Sequence, residues 1–248
     1  MTNTHHAFGI DLSKWNTSQD GKQKVDFDII ANHDPLVDFI GMRAGISWGY
    51  QDPWFSYYFE ETQRIGRVSL PYHVLYPGEN ATRQMDNFFR ILGPTDFTLT
   101  PLVLDLELDH GQTVSKITQT TTQSIGIIAS RTGQIPLIYS RATWVDRFLR
   151  VADLPPVFWW LANYLWPRPY PLYTPEHPGP PLIPKGVTAW HIHQTADRAK
   201  SIGAKAMHYM DYNRFNGDTV DFYNLIGFNQ PKPLPCPIDG QPCPRIQV

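Results

Sequence analysis

From Phe8 to Tyr212 short apolar runs alternate with longer stretches of helical periodicity, and this alternation constrains the fold more than any other feature of the chain. Strands are expected at Phe8–Leu12, Phe39–Ala44, Val68–Leu75, Pro101–Leu106, Ile135–Tyr139, Val157–Asn163, Val187–Gln194 and Ala206–Tyr212. Helices are expected at Val25–Ala31, Trp54–Gly66, Thr82–Leu92, Val114–Arg131 and Ala142–Val151. In the third of these, Phe88, Phe89 and Leu92 share one face. Near-continuous apolar strands separated by helices argue for a parallel sheet covered by helices. About eight strands with helices missing late in the chain predict an α/β fold of the (β/α) barrel type rather than an open sheet.

Composition narrows the function classes. Hydrophobic residues at 42% and charged residues at 18% supply a full core and exclude a disordered chain. Lys+Arg 21 against Asp+Glu 23 leaves no basic surplus, so no nucleic-acid partner is expected. No run approaches the roughly 18 apolar residues of a membrane span, so no membrane insertion is expected. Eight Trp and 12 Tyr suit flat polar ligands such as sugars, or simply a rich core. The prolines at 167, 169, 171, 175, 178, 180 and 181 before Pro184 mark a loop. From Asn229 the chain turns Pro-rich, so the expected organisation is a barrel over 1–228 and a tail or linker over 229–248. Cys236 and Cys243, the only two cysteines, are candidates for a small disulfide loop or for two exposed thiols. The first residues carry no Lys/Arg cluster and no apolar segment, so they do not read as a secretory signal.

Four acids sit where apolar runs finish: Asp11, Asp105, Glu107 and Asp211. In barrel enzymes the working residues project from the C-terminal ends of strands. Asp105 and Glu107 are two apart, so on a strand they face the same side with Cα atoms roughly 7 Å apart. Two carboxyls so close in a partly dry cleft do not ionise independently, and one is held protonated at neutral pH. The expectation is a neutral Glu107, kept so by its anionic neighbour Asp105. Such a pair supplies a general acid beside a charged stabiliser, as glycosidic cleavage requires.

Several segments resemble glycoside hydrolase family 25, the Chalaropsis-type lysozymes (N-acetylmuramidases). These are Asp11-Leu-Ser-Lys-Trp-Asn, Gly41-Met-Arg-Ala with Asp52 and Phe55, Pro71-Tyr-His-Val, Gln84 with Phe88, Leu104-Asp-Leu-Glu, Ile138-Tyr-Ser, Trp159-Trp-Leu-Ala-Asn-Tyr and Asp211-Tyr-Asn-Arg-Phe-Asn-Gly. Together they cover residues 8–228 in the family's order. The resemblance implies an irregular, flattened barrel with fewer helices than strands. It also implies cleavage of the β-1,4 bond between N-acetylmuramic acid and N-acetylglucosamine in bacterial peptidoglycan, by a monomer. Carried over by position, Glu107 matches the general acid and Asp105 the carboxylate that assists the 2-acetamido group. Asp11 and Asp211 match flanking acids of the groove, and Tyr72 and Tyr164 match its aromatic lining. Arg43, Asn213, Trp190 and Gln194 lie in matching or rewritten segments and are expected at the substrate. The sequence departs from the family at Asn16, where Gln is usual, and at Trp190-His-Ile-His-Gln-Thr.

His191 and His193 share a strand face, but no third ligand is evident and zinc needs three or four, so no metal is expected. Nor is any organic cofactor. Without a signal, delivery as a phage lysin or a virion-associated lysozyme is expected, with a trimmed secreted enzyme as the alternative. The rival from another class is a wall-binding or structural barrel that has lost activity.

Overall fold

A computed structural model describes residues 6–164 and 180–225 of the chain. The tail with its two cysteines, Trp166 and most of the Pro-rich loop lie outside the described residues. Nine strands form one sheet: β1 (His6–Leu12), β2 (Val37–Ile46), β3 (Tyr50–Gln51), β4 (Val68–Val74), β5 (Val103–Asp105), β6 (Leu137–Ser140), β7 (Phe158–Ala162), β8 (Ile192–Lys200) and β9 (Tyr209–Asp218). The order is β1-β9-β8-β7-β6-β5-β4-β2-β3, and β1 also pairs β2, which closes eight strands into an α/β barrel with β3 as an appendage. The helices are α1 (Phe27–Ala31), α2 (Phe55–Arg64), α3 (Ala81–Leu92), α4 (Val114–Thr132), α5 (Ala142–Phe148) and α6 (Thr219–Leu225).

The sheet is mixed, not all-parallel as the alternation predicted. Strands β1, β2 and β4 to β8 run parallel, whereas β9 is antiparallel to both neighbours, β8 and β1. The cause is the 201–208 connection, too short for the dozen or more residues of a parallel crossover. The last two strands also differ in extent from the expected ones. β8 begins at Ile192 rather than Val187 and runs on to Lys200, and β9 continues to Asp218.

Strand parity sorts the apolar residues into two packing regions. Phe8, Ile10 and Leu12 of β1, Ile40 and Met42 of β2, Leu104 of β5 and Ile138 of β6 face outward against Phe55, Met85, Phe88, Ile125 and Val145 of the helices. The helix ends are set locally. Asn80 accepts from Arg83 N at 3.0 Å to open α3, Thr113 accepts from Lys116 N at 3.2 Å to open α4, and Gly133 closes α4 at φ 72°.

The inward set is Ala7, Phe39, Leu70, Val103, Leu137, Ile192 and Phe215, closed at one end by Phe222 and Tyr223 of α6. Each buried side chain of this kind contributes about 1.5–3 kcal/mol. Trp160 of β7 lies across the top of this stack. Its ring fits because position 41 is glycine: a Cβ there would lie 2.6 Å from Trp160 Cη2 and 2.7 Å from Asp11 Cβ.

Candidate active site

Two residues beyond the apolar stack, the same strands turn polar. Asp11 follows Ala7 and Gly9 on β1, Tyr72 follows Leu70 on β4, Asp105 follows Val103 on β5, Tyr139 follows Leu137 on β6 and Gln194 follows Ile192 on β8. Strand β9 runs the other way, so its polar residues precede Phe215: Asn213, then Asp211. Asp211 thus stands near the opening of its strand, not at its end as the sequence suggested. It reaches the same rim because β9 is antiparallel, and it pairs directly with Asp11.

These side chains wall a cavity of about 210 Å³ above Trp160, joined by Glu107, Tyr164 and Asp197. A cavity of about 380 Å³ at the other end of the barrel is apolar, with His191 its one titratable group, and a groove of about 640 Å³ between α3 and α4 holds only Glu79 among acids. Acids converge in the first of the three, which is therefore the site with chemistry.

Two hydrogen-bonded arms meet on Asp11. Tyr139 OH donates to Gln194 Oε1 at 2.8 Å, and Gln194 Nε2 donates to Asp11 Oδ2 at 2.9 Å. Trp160 Nε1 donates to Asn213 Oδ1 at 2.8 Å, and Asn213 Nδ2 donates to Asp11 Oδ2 at 2.8 Å. An indole N–H only donates, so it fixes the Asn213 amide with its NH2 toward Asp11. Asp11 is nevertheless raised above the usual carboxylate range, because burial outweighs these donors. Asp211, hydrogen-bonded to Asp11, is raised further, by burial and then by the charge of Asp11. Burial and their mutual repulsion thus disfavour ionising both carboxyls of the pair at once.

Asp105 is buried, and its Oδ1 has no hydrogen-bond partner among the described residues. Burial, then Glu107 and Asp11, hold its carboxyl well above the usual range. Glu107 lies just past β5 at the rim, its side chain 38% exposed. Burial by the cavity walls raises it, Arg141 opposes that rise, and Asp11 adds to it. Both carboxyls are raised, burial first in each, and they compete for a proton. The deeper of the two carboxyls loses more hydration on ionising.

Residues 10–204 match glycosyl hydrolases family 25. The chain belongs to that family. An uncharacterized protein, YegX of Escherichia coli (strain K12), is 26% identical over 225 residues, covering 88% of this chain and 72% of that protein. Among solved structures, a family 25 glycosyl hydrolase from Bacillus anthracis superposes with a TM-score of 0.71 at 17% identity, covering 90% of this chain and 98% of that one. A bacterial lysozyme from Streptomyces coelicolor superposes with a TM-score of 0.67 at 20% identity, covering 91% of this chain and 98% of that one. The irregular α/β barrel is the fold they share.

Within this family 25 barrel, Asp11, Tyr72, Asp105, Glu107, Tyr164, Gln194 and Asp211 come together around one cavity. Three residues expected at the substrate do not wall it. Trp190 is buried in the outer packing layer, with the Arg214 guanidinium 5.2 Å from its ring centroid. It precedes Ile192, where β8 begins, and so lies at the base of the barrel. Arg43 Nε and Nη2 are bound to Asp52 at 2.9 and 2.8 Å, behind the wall. Its charge still works against the rise of Asp105. Asn213 is buried beneath Asp11 and acts through it.

His73 faces outward, buried against Phe88 at 5.1 Å, and burial pushes it down to about 3. His193 is likewise lowered, to about 4, with Nε2 2.8 Å from Asn163 O. Among the described residues no group of three or more His, Cys, Asp or Glu is placed to hold a metal ion.

Two residues of the site, Asp197 and Arg141, are not singled out from sequence, and two more, Tyr139 and Trp160, stand in the matching segments Ile138-Tyr-Ser and Trp159-Trp-Leu-Ala-Asn-Tyr without a role at the cavity. The inward parity of Tyr139 and Trp160, two residues past Leu137 and Phe158, is the signal that identifies them.

Proposed function

We propose that the protein hydrolyses the β-1,4 bond between N-acetylmuramic acid and N-acetylglucosamine in bacterial peptidoglycan, with Glu107 as the acid and Asp105 on the 2-acetamido group. The observation that carries this reading is the unpartnered Oδ1 of Asp105, buried in the same cavity as the more exposed Glu107. A buried acceptor without a donor costs about 1–3 kcal/mol, and the N–H of a 2-acetamido group satisfies it. That N–H favours the ionised form of Asp105, so the proton for which the two carboxyls compete is left on Glu107 as the sugar binds.

Glu107 then gives the proton to the bridging oxygen while the C1–O bond breaks. The acetamido oxygen closes on C1, its N–H held by Asp105. The glucosaminyl end leaves as an alcohol. Water attacks C1, Glu107 takes its proton, and the acetamido group is released, so one water is consumed and both carboxyls return to their first state. Asp11 and Asp211 set the field below the ring and orient that water. Membership of family 25 supports a glycoside hydrolase. The shared fold of the Streptomyces coelicolor lysozyme, and of the CTP1L endolysin at a TM-score of 0.66 and 19% identity, supports the wall as substrate.

The test is clearance of a peptidoglycan suspension, followed by mass analysis of the fragments. Wild type is expected to clear it and to leave reducing muramic ends, and Glu107→Gln is expected to leave it turbid. Reducing glucosamine ends would overturn the bond assignment. Wall binding with no more clearance than Glu107→Gln would make the protein a binding module.

A further inference from the structure

Arg141 breaks two local rules at once. It occupies the N-cap of α5 and makes no capping hydrogen bond there, at a position that favours Ser, Thr, Asp or Asn. It also puts a cation beside the proposed proton donor, its Nε 3.5 Å from Glu107 Oε1, which is the wrong sign for keeping an acid protonated. Its placement is nonetheless well defined. Leu106 N donates to Tyr139 O at 2.9 Å and Ser140 Oγ donates to Leu106 O at 2.6 Å, so the segment carrying Glu107 is tied to the end of β6. Arg141 follows directly, its Nη2 donating to Tyr164 OH at 3.0 Å and its guanidinium 5.0 Å from the centre of that ring. The side chain is half-exposed, at the mouth of the cavity.

A site built from local conflicts is a site built for something that arrives. Resting on the cleavage reading above, we propose that Arg141 is the specificity-determining residue for a carboxylate carried by the substrate beside the scissile link, and that this carboxylate draws the guanidinium off Glu107. A planar guanidinium binds a carboxylate through two parallel hydrogen bonds, which a single contact at 3.5 Å does not match. N-acetylmuramic acid supplies that chemistry in one of two forms, its own lactyl carboxylate or the carboxylates of an attached stem peptide. When the guanidinium leaves, the one group that opposes protonation of Glu107 leaves with it. The acetamido N–H acting through Asp105 is common to every N-acetylhexosamine polymer, so the carboxylate adds the discrimination: a strand that bears it protonates Glu107 more fully than a neutral one.

The other ionisable groups around Glu107 stay in place through this exchange. They are Asp11, Asp105, Asp197 and Asp211 from β1, β5, β8 and β9, with the phenols Tyr139 and Tyr164. Tyr72 on β4 and the Asp52-bound Arg43 on β2 complete the ring. Apart from the proton for which Asp105 and Glu107 compete, the exchange moves one charge, that of the guanidinium.

The experiment uses the full chain as wild type, Arg141→Met and Arg141→Lys, each checked for an unchanged circular dichroism spectrum. The substrates are peptide-free glycan strands, strands bearing stem peptides, and peptide-free strands whose lactyl carboxyls have been amidated. Arg141→Met is expected to raise KM by roughly tenfold on the carboxylate-bearing strands and to leave it unchanged on the amidated ones. An effect on peptide-free strands assigns the lactyl carboxylate, and an effect confined to peptide-bearing strands assigns the stem. In Arg141→Met the basic limb of kcat/KM is expected to move to higher pH while that of kcat does not move, and Arg141→Lys is expected to keep part of the discrimination. Equal KM changes on all strands, or none, would overturn the proposal while cleavage stands. Should wild type cleave no strand, the cleavage reading fails. Calorimetric titration then decides the Arg141 contact alone: tighter binding of the carboxylate strand than of the amidated one, lost in Arg141→Met, supports it, and equal binding overturns it.

Discussion

Trp160 and Asp11 are joined through a single amide: the indole N–H ends on Oδ1 of Asn213, and Nδ2 of Asn213 ends on Oδ2 of Asp11. The ring that roofs the apolar stack therefore also orients an acid of the cavity. Trp160→Phe keeps most of the ring and removes the donor. We expect kcat to fall about 10- to 100-fold, the cost of about 1–3 kcal/mol for a buried amide left without its partner. Initial rates on glycan strands check this, and an unchanged kcat would mean that Asn213 is held by something else.

Asp105 destabilises the fold at neutral pH. Its carboxyl is raised well above 3.8 in the folded chain, by burial first and then by Glu107 and Asp11. The folded chain retains a proton that the unfolded chain releases, so its stability falls as pH rises through 3.8 toward the raised folded value. Asp105→Asn removes that dependence. The variant is expected to melt above wild type at pH 7 and level with it below the ordinary carboxylate value, while activity drops about 10²- to 10⁴-fold. Thermal melts across pH, paired with rates, decide it; a variant less stable than wild type at pH 7 would contradict the assignment.

Gly41 sets the clearance between Trp160 and Asp11. Gly41→Ala puts a methyl group 2.6 Å from one and 2.7 Å from the other. We expect overpacking to cost about 1–3 kcal/mol in urea unfolding and activity to fall with it, since both neighbours must move. If rates stay at the wild-type level, the register of Asp11 against Trp160 does not matter to turnover.

Trp190 separates packing from binding. Buried in the outer layer at the base of the barrel, it is expected to cost about 3–5 kcal/mol on replacement by Ala and to leave KM of the folded fraction unchanged. A raised KM in Trp190→Ala, measured where the variant is fully folded, would return it to the substrate.

Strands β1, β2 and β4 to β7 are legible because both faces of each are largely buried, so they read as apolar runs, whereas the two-residue β3 carries no such run. The last two strands are legible only in part: the expected Val187–Gln194 and Ala206–Tyr212 overlap β8 and β9 but miss their full extent. Gln194 and Asp211 face the cavity, Asn213 lies beneath Asp11, Asp197, Arg198 and Lys200 add charge, and a criterion built on apolar runs stops short there. The four acids stood out because they interrupt such runs. Tyr139 and Trp160 did not, since an aromatic inside a strand looks the same whether it caps a core or floors a cleft. Asp211 stands out at the end of an apolar run, but the direction of its strand is not legible there, because only the short 201–208 connection reveals that the chain doubles back. Arg141 left no trace, since one cation after a strand has no pattern to violate until the helix behind it is seen.

The reversal of β9 has a consequence for how such a protein diversifies. The acids on β1 and β5 sit just ahead of independent excursions of the backbone, whereas Asp211 shares its ribbon with Gln194, in a ladder whose register shifts on both sides of Ala196. Lengthening or trimming the tip of that ribbon would raise or lower one bank of the cleft without disturbing either residue. A lineage thus has a place to retune which strands of wall it admits while the proton-handling apparatus below stays as it is.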